Sequence, residues 1–172
     1  MKLSALPLAN DKKLFRGAKI SNDEIVKIKH YLKNKIEDLP RAIVFCRSFL
    51  SFSKSKNVSD YFLGFSNKNK NLSKVLFILE KDDNLKYDLA THADIEKISY
   101  LPSEQEVLFF PFSSFEIKDI KEKELNKDEK IYEIYLFYLG KYLKHIESDE
   151  KIKMNENMIS ESEFKYKLLN LV

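Results

Sequence analysis

The sequence predicts an α+β domain in which one long helix and one short helix precede a succession of strands. Three observations carry this reading. Residues 21–24 read Ser-Asn-Asp-Glu, a serine followed three positions later by glutamate, which is the pattern of a capped helix start. Behind it Ile25, Ile28, Leu32, Ile36 and Leu39 recur at helical spacing until Pro40 stops the run. The later apolar runs are instead short, β-branched and aromatic, with three glycines and four prolines in 172 residues to punctuate them. Strands that follow one another without intervening helices pair mostly antiparallel.

Taken in order, residues 13–20 form a short strand-like run broken at Gly17, and 22–38 form the first helix. Residues 42–52 read as one strand from their β-branched and aromatic content. Ser55 caps a short helix carrying Val58, Tyr61 and Phe62, and 67–73 is a polar loop. Val75 to Leu79 is unbroken in apolarity, as a buried strand is. Residues 106–110 and 114–120 are further strands, and the charged run 118–130 reads as a solvated connection. Residues 131–139 fit a helix or a strand; their tyrosines and β-branched side chains favour a strand, closed by Gly140. Beyond residue 141 the chain is charged, with a weak amphipathic pattern through Phe164, Leu168 and Leu171. The expected organisation is one domain over 1–141 and a helical or partly ordered tail over 142–172.

Composition excludes several classes. The chain is long enough for a real core, and its 44% hydrophobic and 13% aromatic content exceeds that of a disordered chain. A net charge of +3, from 30 basic and 27 acidic residues spread along the chain, gives no footprint for a nucleic-acid partner. One cysteine, Cys46, excludes an internal disulfide and a cysteine-rich zinc site, and reads as a small buried hydrophobe. His30, His92 and His145 stand apart from any second histidine or cysteine, so no metal is expected. The first residues are too short and too weakly apolar a run for a secretory signal, and no segment is long enough to span a bilayer. Cytoplasmic residence is the expectation, or export as an effector by a route without a classical signal peptide.

The chemistry concentrates in residues 103–115, Ser-Glu-Gln-Glu-Val-Leu-Phe-Phe-Pro-Phe-Ser-Ser-Phe. Glu104 and Glu106 sit two apart at the mouth of an aromatic run, and on a strand such residues share a face. A pair of acids there suits a cleft that stabilises positive charge; a solvated acidic turn after Pro102 would leave the same letters. Upstream, Arg16 stands beside Gly17, and Ser51 and Ser53 flank Phe52. In this order, and with the flanking words Leu14-Phe-Arg-Gly-Ala-Lys19 and Phe49-Leu-Ser-Phe-Ser-Lys-Ser-Lys-Asn-Val58, residues 13–140 resemble the arginine-specific mono-ADP-ribosyltransferases of the R-S-E, cholera-toxin-like class.

The resemblance implies two packed, mainly antiparallel sheets around a cleft for NAD, with flanking helices. It implies transfer of ADP-ribose from NAD to the arginine of a protein substrate, with release of nicotinamide. Arg16 would then grip the pyrophosphate through parallel charge-assisted bonds, and Gly17 would let the backbone approach the nicotinamide carboxamide. Ser51 would hydrogen-bond and hold Glu106, Ser53 would line the cofactor site, and Phe62 or Phe65 would either stack on nicotinamide or pack into the core. Phe52 replaces the threonine common at the middle position. Glu106 would stabilise the oxocarbenium-like centre formed as the ribose–nicotinamide bond breaks. Glu104 would orient the acceptor guanidinium and take its proton, with Tyr100, in the preceding loop, recognising the substrate. Two alternatives share the fold: an NAD glycohydrolase, in which water replaces the acceptor, and a binding module without chemistry. Intact Arg16, Ser51 and Glu106 count against the module, and Glu104 counts against simple hydrolysis.

Overall fold

The computed structural model describes residues 13–33, 42–64, 69–80, 92–126, 129–141 and 169–170. The strands are β1 (Lys13–Ser21), β2 (Ile43–Phe45), β3 (Leu50–Ser53), β4 (Leu72–Glu80), β5 (His92–Asp94), β6 (Glu106–Phe109), β7 (Ser113–Asn126), β8 (Glu129–Lys141) and β9 (Leu169–Asn170). Two helices accompany them, α1 (Asn22–Lys33) and α2 (Lys56–Gly64). The α+β class holds.

The strands form one hydrogen-bonded sheet in the order β5-β6-β3-β1-β4-β8-β7-β2-β9. β1 and β4 are its spine, antiparallel from Lys13↔Glu80 to Ser21↔Leu72. β4 runs parallel to β8, and β2 parallel to β9; the other neighbours are antiparallel. Where two sheets were expected, a single sheet curls over and packs its flanks against each other. Phe109 of β6 lies 5.5 Å from Phe115 of β7 and 5.1 Å from Tyr138 of β8, strands that the ladder order separates widely. Phe52 of β3 joins them, 5.4 Å from Phe109 and 6.1 Å from Phe115. Between the flanks lies the core, which includes Leu14, Val44, Val75, Leu79, Val107 and Ile134.

The helices seal this sheet. The Ser21 hydroxyl accepts from the Glu24 amide at 3.2 Å, satisfying one free donor of the first turn of α1. Ile25 and Ile28, three apart, then turn into the core. The predicted helix end at Pro40 lies outside the described residues. α2 covers the outer face, where Leu63 packs with Leu76, Ile78 and Ile131.

Three segments differ from expectation, the first being β1, which runs unbroken through Gly17 because Gly17 keeps its ladder place opposite Leu76. Residues 42–52 are two strands, because β2 bonds β7 while β3 bonds β6 on the opposite flank. The turn between them is fixed by the Cys46 amide donating to the Ser113 carbonyl at 3.1 Å and the Phe112 amide donating to the Cys46 carbonyl at 2.7 Å. No glycine or proline marks that turn, so its apolar flanks read as continuous. Residues 118–125 are largely exposed, as expected of a solvated run, but 118–126 and 129–130 belong to the strands of a long hairpin instead of a connection. Its charges pair across the strands, Lys123 with Glu133 at 2.7 Å and Lys130 with Glu122 at 2.6 Å. Of the tail, only Leu169–Asn170 are described, as the strand beside β2.

Candidate active site

The candidate site opens where β1 and β3 part. These strands share one ladder pair, Phe15↔Ser53; elsewhere β1 stays with β4 and β3 with β6. The divergence leaves a cleft of about 220 Å³, whose walls include Arg16, Gly17, Ser51, Ser53, Glu104 and Glu106. Three stretches far apart in sequence thus meet in one space.

Arg16 crosses the gap, its Nη1 donating to the Ser51 carbonyl at 2.9 Å. Burial lowers its pKa, and the negative charge of Glu106 works in the opposite direction. A guanidinium stays protonated even so, so Arg16 is a desolvated cation whose nearby counter-charge is Glu106. Gly17 lines the same cleft, and its lack of a side chain also serves the packing behind it. A Cβ at this position would meet the Ser59 carbonyl oxygen at 2.3 Å and Leu63 Cγ at 3.0 Å. The close approach it permits is that of α2 against β1, which sets one wall of the cleft.

The two glutamates reach the cleft by a route that strand alternation does not describe. β6 begins only at Glu106, and Glu104 closes a 3-10 turn over Pro102–Glu104. Between them Gln105 is left-handed, with φ 49° and ψ 51°. That kink turns Glu104 back over the strand end, so both acids line one space without sharing a strand face. Ser53 fixes the kink: its hydroxyl donates to the Glu104 carbonyl at 2.7 Å and accepts from the Ser55 amide at 3.0 Å. The Lys54 amide donates to the Gln105 carbonyl at 3.1 Å. In register Ser53 stands opposite Glu106, and Ser51 opposite Leu108. Ser51 is therefore a diagonal neighbour of Glu106, and the bond recorded for it is the one its carbonyl accepts from Arg16. Phe52 points into the core, as its alternation requires.

Beside the kink, Lys54 Nζ contacts Asp94 at 2.5 Å and Glu96 at 2.9 Å. Burial pulls the Lys54 pKa down, but hydrogen bonds and charge from these two carboxylates more than reverse it, leaving it above the ordinary lysine value. Tyr100 is 98% exposed in the loop that leads to Glu104. Phe62 lines the cleft from α2 and keeps 47% of its surface exposed, whereas Phe65 lies outside the described residues. His92 is buried and stacks on Phe109 at 5.0 Å. Cys46 is buried too, its thiol pKa raised by desolvation. Among the described residues no group of three or more His, Cys, Asp or Glu side chains could hold a metal, and no helix is long and apolar enough to cross a membrane.

Sequence reasoning missed β5, the Lys54 cluster, and the contributions of Val58 and Ser59 to the cleft wall. Val58 and Phe62 stand four apart on α2, and that spacing puts them on one helix face. It was the available signal.

No family model matches the chain, nor does any curated protein sequence. Solved structures do match it. Vis toxin, an ADP-ribosyltransferase from Vibrio splendidus, aligns over 80% of this chain and 52% of its own, with 22% identity and a TM-score of 0.53. Vis in complex with agmatine aligns over 74% and 48%, with 20% identity and a TM-score of 0.51. The Salmonella SpvB ATR domain aligns over 80% and 66%, with 15% identity and a TM-score of 0.52. The chain spans about half the length of the Vis structures it matches. Its fold is that of the bacterial ADP-ribosyltransferases.

Proposed function

We propose that this chain is a mono-ADP-ribosyltransferase that moves ADP-ribose from NAD to the arginine side chain of a protein, releasing nicotinamide. The observation that carries the reading is the convergence of Arg16, Ser51, Ser53, Glu104 and Glu106 on one cleft within this fold. A desolvated guanidinium with one N–H committed to Ser51 and further donors to spare suits a pyrophosphate. The exposed face of Phe62 offers a stacking surface on the same wall.

In this reading Arg16 anchors the dinucleotide, and Glu106 lies where positive charge builds on the ribose. The bond between ribose C1 and the nicotinamide nitrogen breaks, its electron pair leaving with nicotinamide. Glu106 stabilises the resulting oxocarbenium-like centre. Glu104, turned back by Gln105, orients the acceptor guanidinium and takes its proton as the new C1–nitrogen bond forms. Agmatine, present in one of the Vis complexes, carries such a guanidinium. In this reading the substrate is a protein arginine in the cytosol, the chain's own or a host's.

The test incubates the full chain with NAD and agmatine and resolves ADP-ribosyl-agmatine, free ADP-ribose and nicotinamide by mass spectrometry. ADP-ribosyl-agmatine is the expected product. Absence of every product would remove the transferase reading, and free ADP-ribose alone would replace it with glycohydrolysis.

A further inference from the structure

We propose that Lys54 is a positioning residue that fixes the angle between the two glutamates, and so governs acceptor modification separately from NAD cleavage. The inference rests on the transferase reading above and concerns a side chain outside the motif residues.

The sheet order places β6 between β3 and β5. In register Ser53 pairs with Glu106, and Asp94 pairs with Val107. One step further along, Lys54 stands beside Gln105 on one side, and Ile95 beside Glu106 on the other. To contact Asp94 and Glu96, the Lys54 side chain must therefore reach past the end of β6. Gln105 at that end is the left-handed residue where the chain leaves the strand. Lys54 thus holds the kink twice, by its amide on the Gln105 carbonyl at 3.1 Å and by its ammonium on the far strand.

The opposite end of the same loop is secured through those carboxylates. Asp94 Oδ1 accepts from the Glu96 amide at 3.2 Å, and the Ile95 amide donates to the Glu106 carbonyl at 3.0 Å. Residues 95–105, which carry Tyr100 and Glu104, are consequently gathered at both ends by one residue, with the Lys54 ammonium at Asp94 and Glu96 and its amide at Gln105. The Lys54 side chain is only 16% exposed, so the contacts are sheltered from the screening that weakens surface pairs. A left-handed non-glycine residue persists only where its surroundings over-determine it, and Lys54 belongs to those surroundings.

The division of labour yields a split that a merely structural lysine would not. Glu106 lies in β6 and is held by its ladder pairs, whereas Glu104 depends on the kink. In Lys54→Met, KM for agmatine should rise by about tenfold to a hundredfold, the scale of a small misplacement of a reacting group. Nicotinamide release without acceptor should stay within about twofold, because Glu106 keeps its place. Glu96→Gln removes one partner while keeping shape, and should move the same KM in the same direction. Both variants are compared with the unmodified chain at matched thermal stability. A Lys54→Met protein that loses transfer and hydrolysis in equal measure overturns the assignment, as does one that leaves the agmatine KM unchanged. Should Lys54→Met not fold, Glu96→Gln alone decides by the same split. An unmodified chain inactive in both assays overturns the transferase reading itself, and this assignment with it.

Discussion

Arg16 and Ser51 are joined by a 2.9 Å hydrogen bond from Nη1 to the carbonyl oxygen, across two strands that share only the single pair Phe15↔Ser53. The bond uses one of the five N–H donors of the guanidinium. It sets the side chain's direction and leaves the rest of the fork for a ligand. Replacing Arg16→Ala should weaken NAD binding by about 1.5–3 kcal/mol, the range for hydrogen bonds to charged groups. Arg16→Lys, a point charge without a fork, should recover only part of that. Calorimetric titration with NAD measures both, and an unchanged affinity in the alanine variant would place the pyrophosphate elsewhere.

Gly17→Ala should destabilise the fold by about 1–3 kcal/mol, the cost of inserting a methyl group into a packed contact. The new Cβ would stand 2.3 Å from a helix carbonyl, which has no side-chain freedom to yield. NAD affinity should fall with it, since α2 forms a wall of the cleft. Gly64→Ala is the control. A Cβ there meets nothing within 4 Å, and stability should change by no more than about 0.5 kcal/mol. Urea denaturation of the two variants side by side distinguishes contact from composition.

The two glutamates should separate by product. Glu106→Gln keeps the shape and removes the charge facing the oxocarbenium centre, so transfer and hydrolysis should both fall by about a hundredfold or more. Glu104→Gln should lose agmatine modification yet keep NAD binding and much of its slow hydrolysis, because an amide cannot take a proton from a guanidinium. Quantifying ADP-ribosyl-agmatine and ADP-ribose in one reaction decides it. If both products drop together in Glu104→Gln, the acceptor role assigned to that side chain is wrong.

Acid should loosen the attachment of α1 to the hairpin. Glu122 lies between Lys130 at 2.6 Å and Lys29 of α1 at 2.8 Å. Hydrogen bonds from these two ammonium groups hold its pKa down, from the ordinary 4.5 to about 2. A depressed carboxylate stabilises the fold fully above its unfolded value and loses that contribution as pH falls through its folded value. The window therefore runs from about pH 4.5 down to about pH 2. Thermal melting across this window should show a shallower acid decline in Glu122→Gln than in the unmodified chain, and salt should shrink the difference. Parallel curves would remove Glu122 from the account.

Much of this arrangement was legible in the residues. The capping box at Ser21 and Glu24, the apolar run at 75–79 and the tyrosine-rich run at 131–139 all encode their elements by period and composition. The motif residues could be picked out as letters, and they do line one cleft. Their geometry could not. Gln105 adopts a left-handed conformation that no glycine announces, so two acids written as strand neighbours meet through a turn instead. The break at Cys46–Phe49 was equally silent, because partners 64 or more residues away impose it. Residues 118–126 read as a connection because their charges find partners only once β8 lies alongside.

The strand order carries a kinetic consequence. Among neighbouring strands of the described residues, only β5–β6 and β7–β8 are consecutive in the chain. Every other ladder requires closing a long stretch of polypeptide before any contact rewards it, and such topologies fold on the slow side, in milliseconds to seconds. The β7–β8 hairpin can form early from local pairing, yet it contains no residue of the cleft. β1, β3 and β6, which bring Arg16, Ser51 and Glu106 together, are joined only by distant pairings. The machinery is therefore absent from any half-assembled chain. Recovery of activity during refolding would time the last closure of the sheet, well after the hairpin's own spectroscopic signal has appeared.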